Sequence, residues 1–320
     1  MKRIKITLIL LVMASLSAPM ISQNSCAANY PNKTIQWIVP FKAGGGSDRW
    51  SRALSSVAFD VLNHGIRIKN IPGANAMAGW KYLLQKPADG YTVMISSPTP
   101  IIAMEREKNS PVKPDQIKIV CFISAFRALV LAPKNKPWST WEGLLAYAKN
   151  NPNKLSLGST LSEMIGASLV LKSSGAQVKY VPYSSASAAI TDFLGGHIDL
   201  TAATESTALT LVPEKATAVI NVTSLPLLKE TSKKLGNPPH AAALGFKTIN
   251  FPRWIGVHPD TPDEIVEILS QKIGEMLKQP SFKKIMKKMG EEIIFVPHNE
   301  AQNQYKKIVL SVKEVVSVLK

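Results

Sequence analysis

The chain is poor in cysteine. Only two of its 320 residues are cysteines, Cys26 and Cys121. Cys26 lies in an N-terminal segment that we expect to be removed, and Cys121 stands alone within an apolar run. One remaining thiol cannot form an intramolecular disulfide, which excludes a disulfide framework. We expect Cys121 to be a buried, inert thiol.

Sequence patterns typical of catalytic and metal sites are also missing. No two histidines stand at a metal-ligand spacing, and no G-x-S-x-G motif is present. An enzyme would need a paired nucleophile and base, so an exported enzyme is the less favoured alternative. The sequence predicts no catalytic residue, no metal site and no cofactor. The histidines are His64, His197, His240, His258 and His298.

Acidic residues are few beside the basic ones. The chain has 38 lysines and arginines against 22 aspartates and glutamates, for a formal net charge of +16. This excess either attracts anionic ligands, lipopolysaccharide or membrane surfaces, or simply keeps the protein soluble. Basic residues are densest in Lys278–Lys288, where they alternate with apolar residues as on a solvated helix face. No interleaved aromatic and basic run indicates a nucleic-acid partner.

No apolar run is long enough to span a membrane in the usual way. The first 28 residues instead resemble a secretory signal peptide, with Lys2, Arg3 and Lys5, the short apolar run Ile6–Met13 and the small residues Ser25–Ala28. We expect cleavage after Ala28 and a periplasmic protein.

The mature chain would have 320 − 28 = 292 residues and a net charge of 16 − 3 = +13. A lipid on Cys26 would require an aliphatic residue three positions earlier, where Gln23 stands, so we expect no lipid. A chain of this length favours two lobes over one core.

The stretch Thr34–Asp48 (TIQWIVPFKAGGGSD) joins a strand to a helix through three glycines. Aromatic and β-branched residues predict the strand, Pro40 ends it, and a helical pattern starts at Trp50. Glycines before a helix N-terminus leave backbone amides open to an anion. A tight turn without a ligand is the alternative. The loop lacks the Gly-Lys-Ser/Thr of a nucleotide-binding loop, and no G-x-G-x-x-G is present.

Further along, strands and helices alternate, which predicts an α/β fold with a mainly parallel sheet. Ligands of such sheets bind beyond the carboxyl ends of strands. Ser96 and Ser97 follow the predicted strand Val93–Ser96 at such an end. Their hydroxyls either donate to an anion or belong to a turn.

Five motifs in order resemble the extracytoplasmic receptors of tripartite tricarboxylate transporters, the Bug or TctC family. The motifs are YPNKTIQWIVPFKAGGGSD (Tyr30–Asp48), NIPGANAMAG (Asn70–Gly79), ADGYT (Ala88–Thr92), VPYSSASAAITDFLGGHIDL (Val181–Leu200) and RWIGVHPDTP (Arg253–Pro262). Together they run along nearly the whole expected mature chain.

The resemblance implies a periplasmic-binding-protein fold of type II, in which two α/β lobes are joined by crossing hinge strands. The candidate crossings are Ala128–Pro133 and Ile255–Pro259. Lobe one would then comprise residues 29–132 and 254–320, and lobe two residues 133–253. We expect the last helix, Gln304–Lys320, to pack on lobe one rather than on a membrane.

The resemblance also implies two loops that hold a ligand carboxylate, Phe41–Asp48 and Tyr183–Ala186. Asp48 either caps the first helix or meets a ligand ammonium, and Glu205 is either a ligand contact or a solvated acid. The predicted ligand-binding residues are Phe41, Gly44, Gly45, Gly46, Ser47, Asp48, Ser96, Ser97, Ser159, Thr160, Tyr183, Ser184, Ser185, Ala186, Thr204 and Glu205.

The chain departs from the family pattern at three places. Ala43 replaces the proline before the glycines, Ser184-Ser185 replaces Lys-Gly, and Ala202-Ala203-Thr204 replaces Phe-Asp-Asn. We expect the last two to change the choice of ligand, while the serine hydroxyls keep anion binding possible.

The function implied is capture of a small carboxylate and its delivery to integral-membrane permease subunits by a monomeric receptor. A dicarboxylate, a tricarboxylate, an aromatic acid or an amino acid would each suit a site built from backbone amides. A receptor that signals through a sensor kinase is an alternative with the same two-lobed sequence.

Overall fold

The computed structural model describes residues 29–107 and 109–319, and the expected signal peptide lies outside the described residues. Two five-stranded sheets with helices packed on them make up the fold, which confirms the predicted α/β class. The strands are β1 (Ile35–Val39), β2 (Ile66–Asn70), β3 (Thr92–Ser96), β4 (Lys118–Phe126), β5 (Ala128–Pro133), β6 (Ser156–Ser159), β7 (Lys179–Pro182), β8 (Leu200–Thr204), β9 (Ala216–Asn221) and β10 (Phe251–Val257).

The helices alternate with these strands. They are α1 (Gly46–Ser55), α2 (Ala58–Leu62), α3 (Met77–Leu84), α4 (Thr99–Arg106), α5 (Trp141–Asn150), α6 (Leu161–Ser173), α7 (Ala186–Leu194), α8 (Glu205–Ala208), α9 (Lys229–Lys234), α10 (Asp263–Lys278), α11 (Pro280–Met289) and α12 (His298–Leu319). A 3-10 turn at Ala74–Ala76 leads into α3.

The first sheet has the order β2-β1-β3-β10-β4. β1 pairs in parallel with β2 and β3, and β10 runs antiparallel between β3 and β4. β1, which lies between β2 and β3, is almost fully buried, as its aromatic and β-branched residues predict. The indole N–H of Trp37 donates to the hydroxyl of Ser51 at 3.0 Å, which fixes α1 against β1.

The second sheet has the order β7-β6-β8-β5-β9. β6 pairs in parallel with β7 and β8, whereas β5 runs antiparallel to β8 and β9. The carboxyl ends of β6, β7 and β8 therefore lie at one edge of this sheet, where their following loops meet.

The chain passes from the first sheet to the second at Arg127, between β4 and β5. The expected crossing Ala128–Pro133 is β5 itself and pairs only within the second sheet. Ile255 and its neighbours likewise belong to β10 in the first sheet, so the chain returns through residues 222–250. A fully apolar strand is typical of both a crossing and a sheet centre, and its partners decide between them. The exact division into lobes stays a prediction.

The C-terminal helices cover the first sheet. α12 packs against β4 and α4, as expected for the last helix, although it starts six residues before the predicted Gln304. Trp254 of β10 makes edge-to-face contacts with Phe122 of β4 and Tyr305 of α12, at centroid distances of 6.0 and 5.3 Å. The Tyr305 hydroxyl donates to the carbonyl of Pro114 at 2.9 Å.

Cys121 is fully buried in β4, and burial raises the pKa of its thiol far above the ordinary value. The expectation of a buried thiol is confirmed, and the raised pKa disfavours the reactive thiolate. Across the part of the chain that the structure describes, no helix is long and apolar enough to cross a membrane.

Candidate ligand-binding site

A cleft of about 650 Å³ is lined by residues that follow strands of both sheets. Twelve of the sixteen predicted ligand-binding residues line it, and Asp48, Ser96, Ser159 and Glu205 do not. The twelve are Phe41, Gly44, Gly45, Gly46, Ser47, Ser97, Thr160, Tyr183, Ser184, Ser185, Ala186 and Thr204.

Five helices of the described chain have an N-cap residue that lines this cleft, and the three longest of them are α1, α6 and α7. Gly45 precedes α1 from the first sheet, while Thr160 and Ser185 precede α6 and α7 from the second. These helices have 10, 13 and 9 residues. First-turn amides and the positive ends of three helix dipoles therefore meet from both walls, which suits an anion.

The backbone of the glycine loop (Gly44, Gly45 and Gly46) requires glycine at two of its three positions. Gly44 has φ +84°, in the left-handed region that glycine adopts without strain. A Cβ on Gly46 would lie 3.0 Å from Nη2 of Arg253, so only glycine lets the guanidinium approach this closely. Gly45 has φ −73° and needs no special conformation.

Asp48 is buried beneath the glycine loop and points away from the cleft. Its carboxylate accepts hydrogen bonds from the amide of Gly44, from two nitrogens of Arg52 and from Asn70, at 2.9 to 3.1 Å. Burial alone would raise the pKa of Asp48, but these bonds outweigh it and hold the pKa below its usual value. Asp48 is neither the N-cap, which is Gly45, nor placed to meet a ligand ammonium; it anchors the loop.

Ser159 and Ser96 are also buried and turned away. The Ser159 hydroxyl donates to the carbonyl of Ala202 at 2.6 Å. The Ser96 hydroxyl donates a long hydrogen bond to the carbonyl of Ser97, at 3.5 Å. Their places at strand ends are as predicted, but alternation along the strand turns each side chain inward. The neighbouring residues Thr160 and Ser97 line the cleft instead.

Glu205 is not a solvated acid, because it is only 1% exposed. It lies where the chain passes between the sheets, and its carboxylate accepts a hydrogen bond from the backbone amide of Arg127. Burial, with a smaller contribution from the charge of Glu291, raises the pKa of Glu205 to about 8.

Arg253 lines the cleft and was not among the predicted residues. It forms a buried ion pair with Glu291 at 2.5 Å, and its Nη1 also donates to Ser124 at 3.0 Å. Its guanidinium lies 4.9 Å from the ring centroid of Phe126. A lone charge inside the otherwise apolar strand FPRWIGV is the sequence signal that could have marked it.

Side-chain hydrogen bonds join the two walls of the cleft. Nη2 of Arg49 in α1 donates to Ser206 in α8 at 3.0 Å, and the hydroxyls of Thr99 and Ser162 lie 2.5 Å apart. Arg49 lines the cleft, and its Nε is buried without a hydrogen-bond partner within the described part of the chain.

Glu163 is a further lining residue that the sequence reasoning missed. It is 8% exposed and accepts a hydrogen bond from the hydroxyl of Thr160. Burial raises its pKa, against smaller opposing influences of that hydrogen bond, of a hydrogen bond to its own backbone amide and of the charge of Arg253. The signal in the sequence was its place three residues after Thr160, at a predicted helix start.

A larger cavity of about 870 Å³ adjoins the cleft and shares Asn75, Leu161 and Tyr183 with it. It contains none of the three helix N-caps, so the smaller cleft is the better candidate for an anionic ligand. In the described segments no group of three or more His, Cys, Asp or Glu residues is placed to hold a metal ion.

Comparisons with known proteins identify relatives of this chain. The profile of the tripartite tricarboxylate transporter family receptors matches residues 51–317. Protein BugT of Bordetella pertussis is 27% identical over 282 residues, which cover 84% of this chain and 82% of BugT.

Two solved structures are similar in fold. The periplasmic binding protein BugD has a TM-score of 0.80 at 21% identity, with 90% of this chain and 98% of BugD covered. MatC from Rhodopseudomonas palustris, solved with bound malate, has a TM-score of 0.79 at 19% identity, with 90% of this chain and all of MatC (100%) covered.

Proposed function

Since the chain belongs to the tripartite tricarboxylate transporter family of receptors, we propose that it is an exported solute receptor that captures a small carboxylate and delivers it to permease subunits in the membrane. The protein is periplasmic, and its ligand binds in the cleft between the two sheets. The receptor binds and releases its ligand without converting it.

One observation carries the proposal: the N-caps Gly45, Thr160 and Ser185 of three helices line one cleft. A carboxylate at the glycine loop would accept hydrogen bonds from the first-turn amides of α1, directly or through water. Ser184 and Ser185 line the opposite wall, so the same group would be held from both walls. Each wall supplies only part of the site. Ligand binding therefore favours the arrangement in which the two walls lie close enough to contact the ligand together.

The size of the cleft suits a small ligand. Its volume of about 650 Å³ lies within the ordinary range of small-molecule sites, about 300–1,000 Å³. The similarity in fold to MatC with bound malate supports a carboxylate as the class of ligand.

Calorimetry on the chain from Asn29 onward tests the binding step. The protein is first freed of bound ligand by unfolding and refolding, then titrated with a panel of dicarboxylates, tricarboxylates, aromatic acids and amino acids. At least one carboxylate should bind, and the matching amide should not. Binding of neutral sugars with no affinity for any carboxylate would contradict the proposal.

Uptake by cells tests the delivery step. Cells that lack this protein should lose uptake of the carboxylate that binds, and the intact gene should restore it. A variant that folds but does not bind, Gly45→Val, should not restore uptake. Unchanged uptake in the absence of the protein would contradict delivery while leaving the binding step intact.

A further inference from the structure

We propose that Glu163 selects the ligand: its carboxylate receives an ammonium group of a bound carboxylate, so the receptor prefers zwitterionic amino acids to simple acids of the same shape. The inference rests on the proposed function and names the substrate class of the same cleft. The sequence suggested Asp48 as a contact for a ligand ammonium, and we assign this contact to Glu163 in the opposite wall instead.

Glu163 and Asp48 occupy equivalent positions in the two walls. Each is the third residue of a helix that begins at the cleft, α6 for Glu163 and α1 for Asp48. Asp48 is engaged by Arg52, Asn70 and the amide of Gly44 and lies behind the loop. Glu163 lines the cleft, and no described basic side chain comes within 4.0 Å of its carboxylate.

The charges around the cleft leave Glu163 without a counter-ion. It is the only acidic side chain among the described residues that line the cleft, beside Lys42, Arg49 and Arg253. Arg253 is the charged group that acts on the pKa of Glu163, but Arg253 is already paired with Glu291 at 2.5 Å. Arg49 donates to Ser206 but has no carboxylate partner among the described residues, and α1 and α6 have no side-chain cap, so this charge and these two helix N-termini can serve a ligand carboxylate.

Without a ligand, the buried Glu163 carboxylate has no counter-ion among the described residues, and its ionised form is therefore high in free energy. Glu163 is 8% exposed, and a carboxylate removed from water without a cation is destabilised, which is why burial raises its pKa. A ligand ammonium would supply the missing counter-charge. A simple acid would instead leave Glu163 unpaired or place a second carboxylate near it, so its binding would be weaker.

A purely structural role for Glu163 predicts something different. Thr160 and Glu163 have the spacing of a capping box, in which both side chains bond to backbone amides of the first turn. Here the Thr160 hydroxyl donates to the Glu163 carboxylate, and Thr160 makes no side-chain cap. If Glu163 only supported α6, its loss would weaken all ligands alike.

Matched ligand pairs separate these roles. Calorimetry compares succinate with aspartate, butyrate with 4-aminobutyrate, and 4-methylbenzoate with 4-(aminomethyl)benzoate on the ligand-free mature chain. In at least one pair the wild-type protein should bind the amino member at least tenfold more tightly. Glu163→Gln should abolish that preference and leave the simple acid with equal or higher affinity, whereas Glu163→Asp should keep it.

Glu142→Gln is the control, because Glu142 is an exposed first-turn acid of α5 outside the cleft. It should keep both affinities, and a urea midpoint for each variant shows that it is folded. The wild-type preference alone tests the inference if Glu163→Gln does not fold.

Three results would overturn the inference. In the first, simple acids bind but no pair shows a preference for its amino member, which leaves the proposed function standing. In the second, Glu163→Gln weakens both members of a pair equally, which assigns Glu163 a structural role. In the third, no member of any pair binds, which overturns the inference, and the wider carboxylate panel decides separately whether the proposed function fails.

Discussion

Arg127 and Glu205 face each other where the chain passes between the two sheets, with Nη1 and Oε1 4.0 Å apart. The guanidinium is directed elsewhere, since Nη2 pairs with Glu292 at 2.6 Å and Nε donates to the carbonyl of Pro226 at 2.9 Å. Oε1 of Glu205 has no hydrogen-bond partner among the described residues. Desolvation of Glu205 therefore outweighs its attraction to Arg127, and its pKa rises to about 8.

The first prediction is that Glu205 makes stability fall as the pH rises. Between about pH 4.5 and 8 the unfolded chain releases the proton of Glu205 while the folded chain keeps it. The unfolded state then binds fewer protons, so the free energy of unfolding falls by up to about 1.4 kcal/mol for each pH unit. Glu205→Gln should remove this contribution, because an amide keeps the bond from the Arg127 amide without ionising.

Urea denaturation of both proteins at pH 5, 6, 7 and 8 measures this effect. The difference in stability, Glu205→Gln minus wild type, should grow with pH across that range. The exposed Glu142→Gln variant serves as the control for a general charge effect. Parallel pH curves for wild type and Glu205→Gln would show that Glu205 is ionised in the folded protein.

The second prediction separates the two roles of neighbouring glycines. At Gly45, φ is −73° and the nearest atom to an added Cβ is the carbonyl oxygen of Lys42 at 3.6 Å. Gly45→Val should therefore fold normally and fill ligand space, lowering carboxylate affinity at least tenfold. At Gly44, φ is +84°, so Gly44→Ala should cost about 1–2 kcal/mol of stability.

Urea midpoints and calorimetry on the two variants check this. A Gly45→Val protein that binds carboxylate as wild type does would show that the glycine loop does not hold the ligand. A Gly44→Ala protein with wild-type stability would show that the loop relaxes to another backbone conformation.

The third prediction concerns Asp48. Asp48→Asn removes the ionic bonds to Arg52 and weakens the acceptor for the Gly44 amide, so the loop should loosen and stability should fall by about 1–3 kcal/mol. Because its folded-state pKa is lowered, the contribution of Asp48 is present above about pH 4 and is lost as the pH falls through the folded-state pKa.

Ligand affinity of Asp48→Asn should fall alike for an amino acid and for the simple acid of the same shape. The paired ligands used for Glu163 measure this. Selective loss of the amino member in Asp48→Asn would return the ammonium contact to Asp48.

The fourth prediction concerns export. The basic start and the small residues Ser25–Ala28 predict a mature chain that begins at Asn29 without a lipid. Mass spectrometry of the exported protein should give the mass of residues 29–320. A diacylglyceryl group on Cys26 would show an anchored receptor instead.

The local structure of the site was determined by the sequence. The strand at Ile35–Val39, the glycine loop and the helix after it follow from neighbouring residues, as do the helix starts after Thr160 and Ser185. Strand propensity, glycine and helix caps act over a few residues, so a sequence pattern is enough to predict them. The resemblance to the family motifs predicted which of these loops lie in one cleft.

Which side chains face that cleft was decided only by the tertiary structure. Asn70, 22 residues after Asp48, joins the local partners that hold the Asp48 carboxylate behind the loop. Glu205 is buried against Arg127, 78 residues before it. Arg253 meets Glu291 across 38 residues, which leaves Glu163 as the unpaired acid in the wall. The direction and ionisation of a charged side chain depend on the partners and the burial that packing brings to it, and these come from distant parts of the chain.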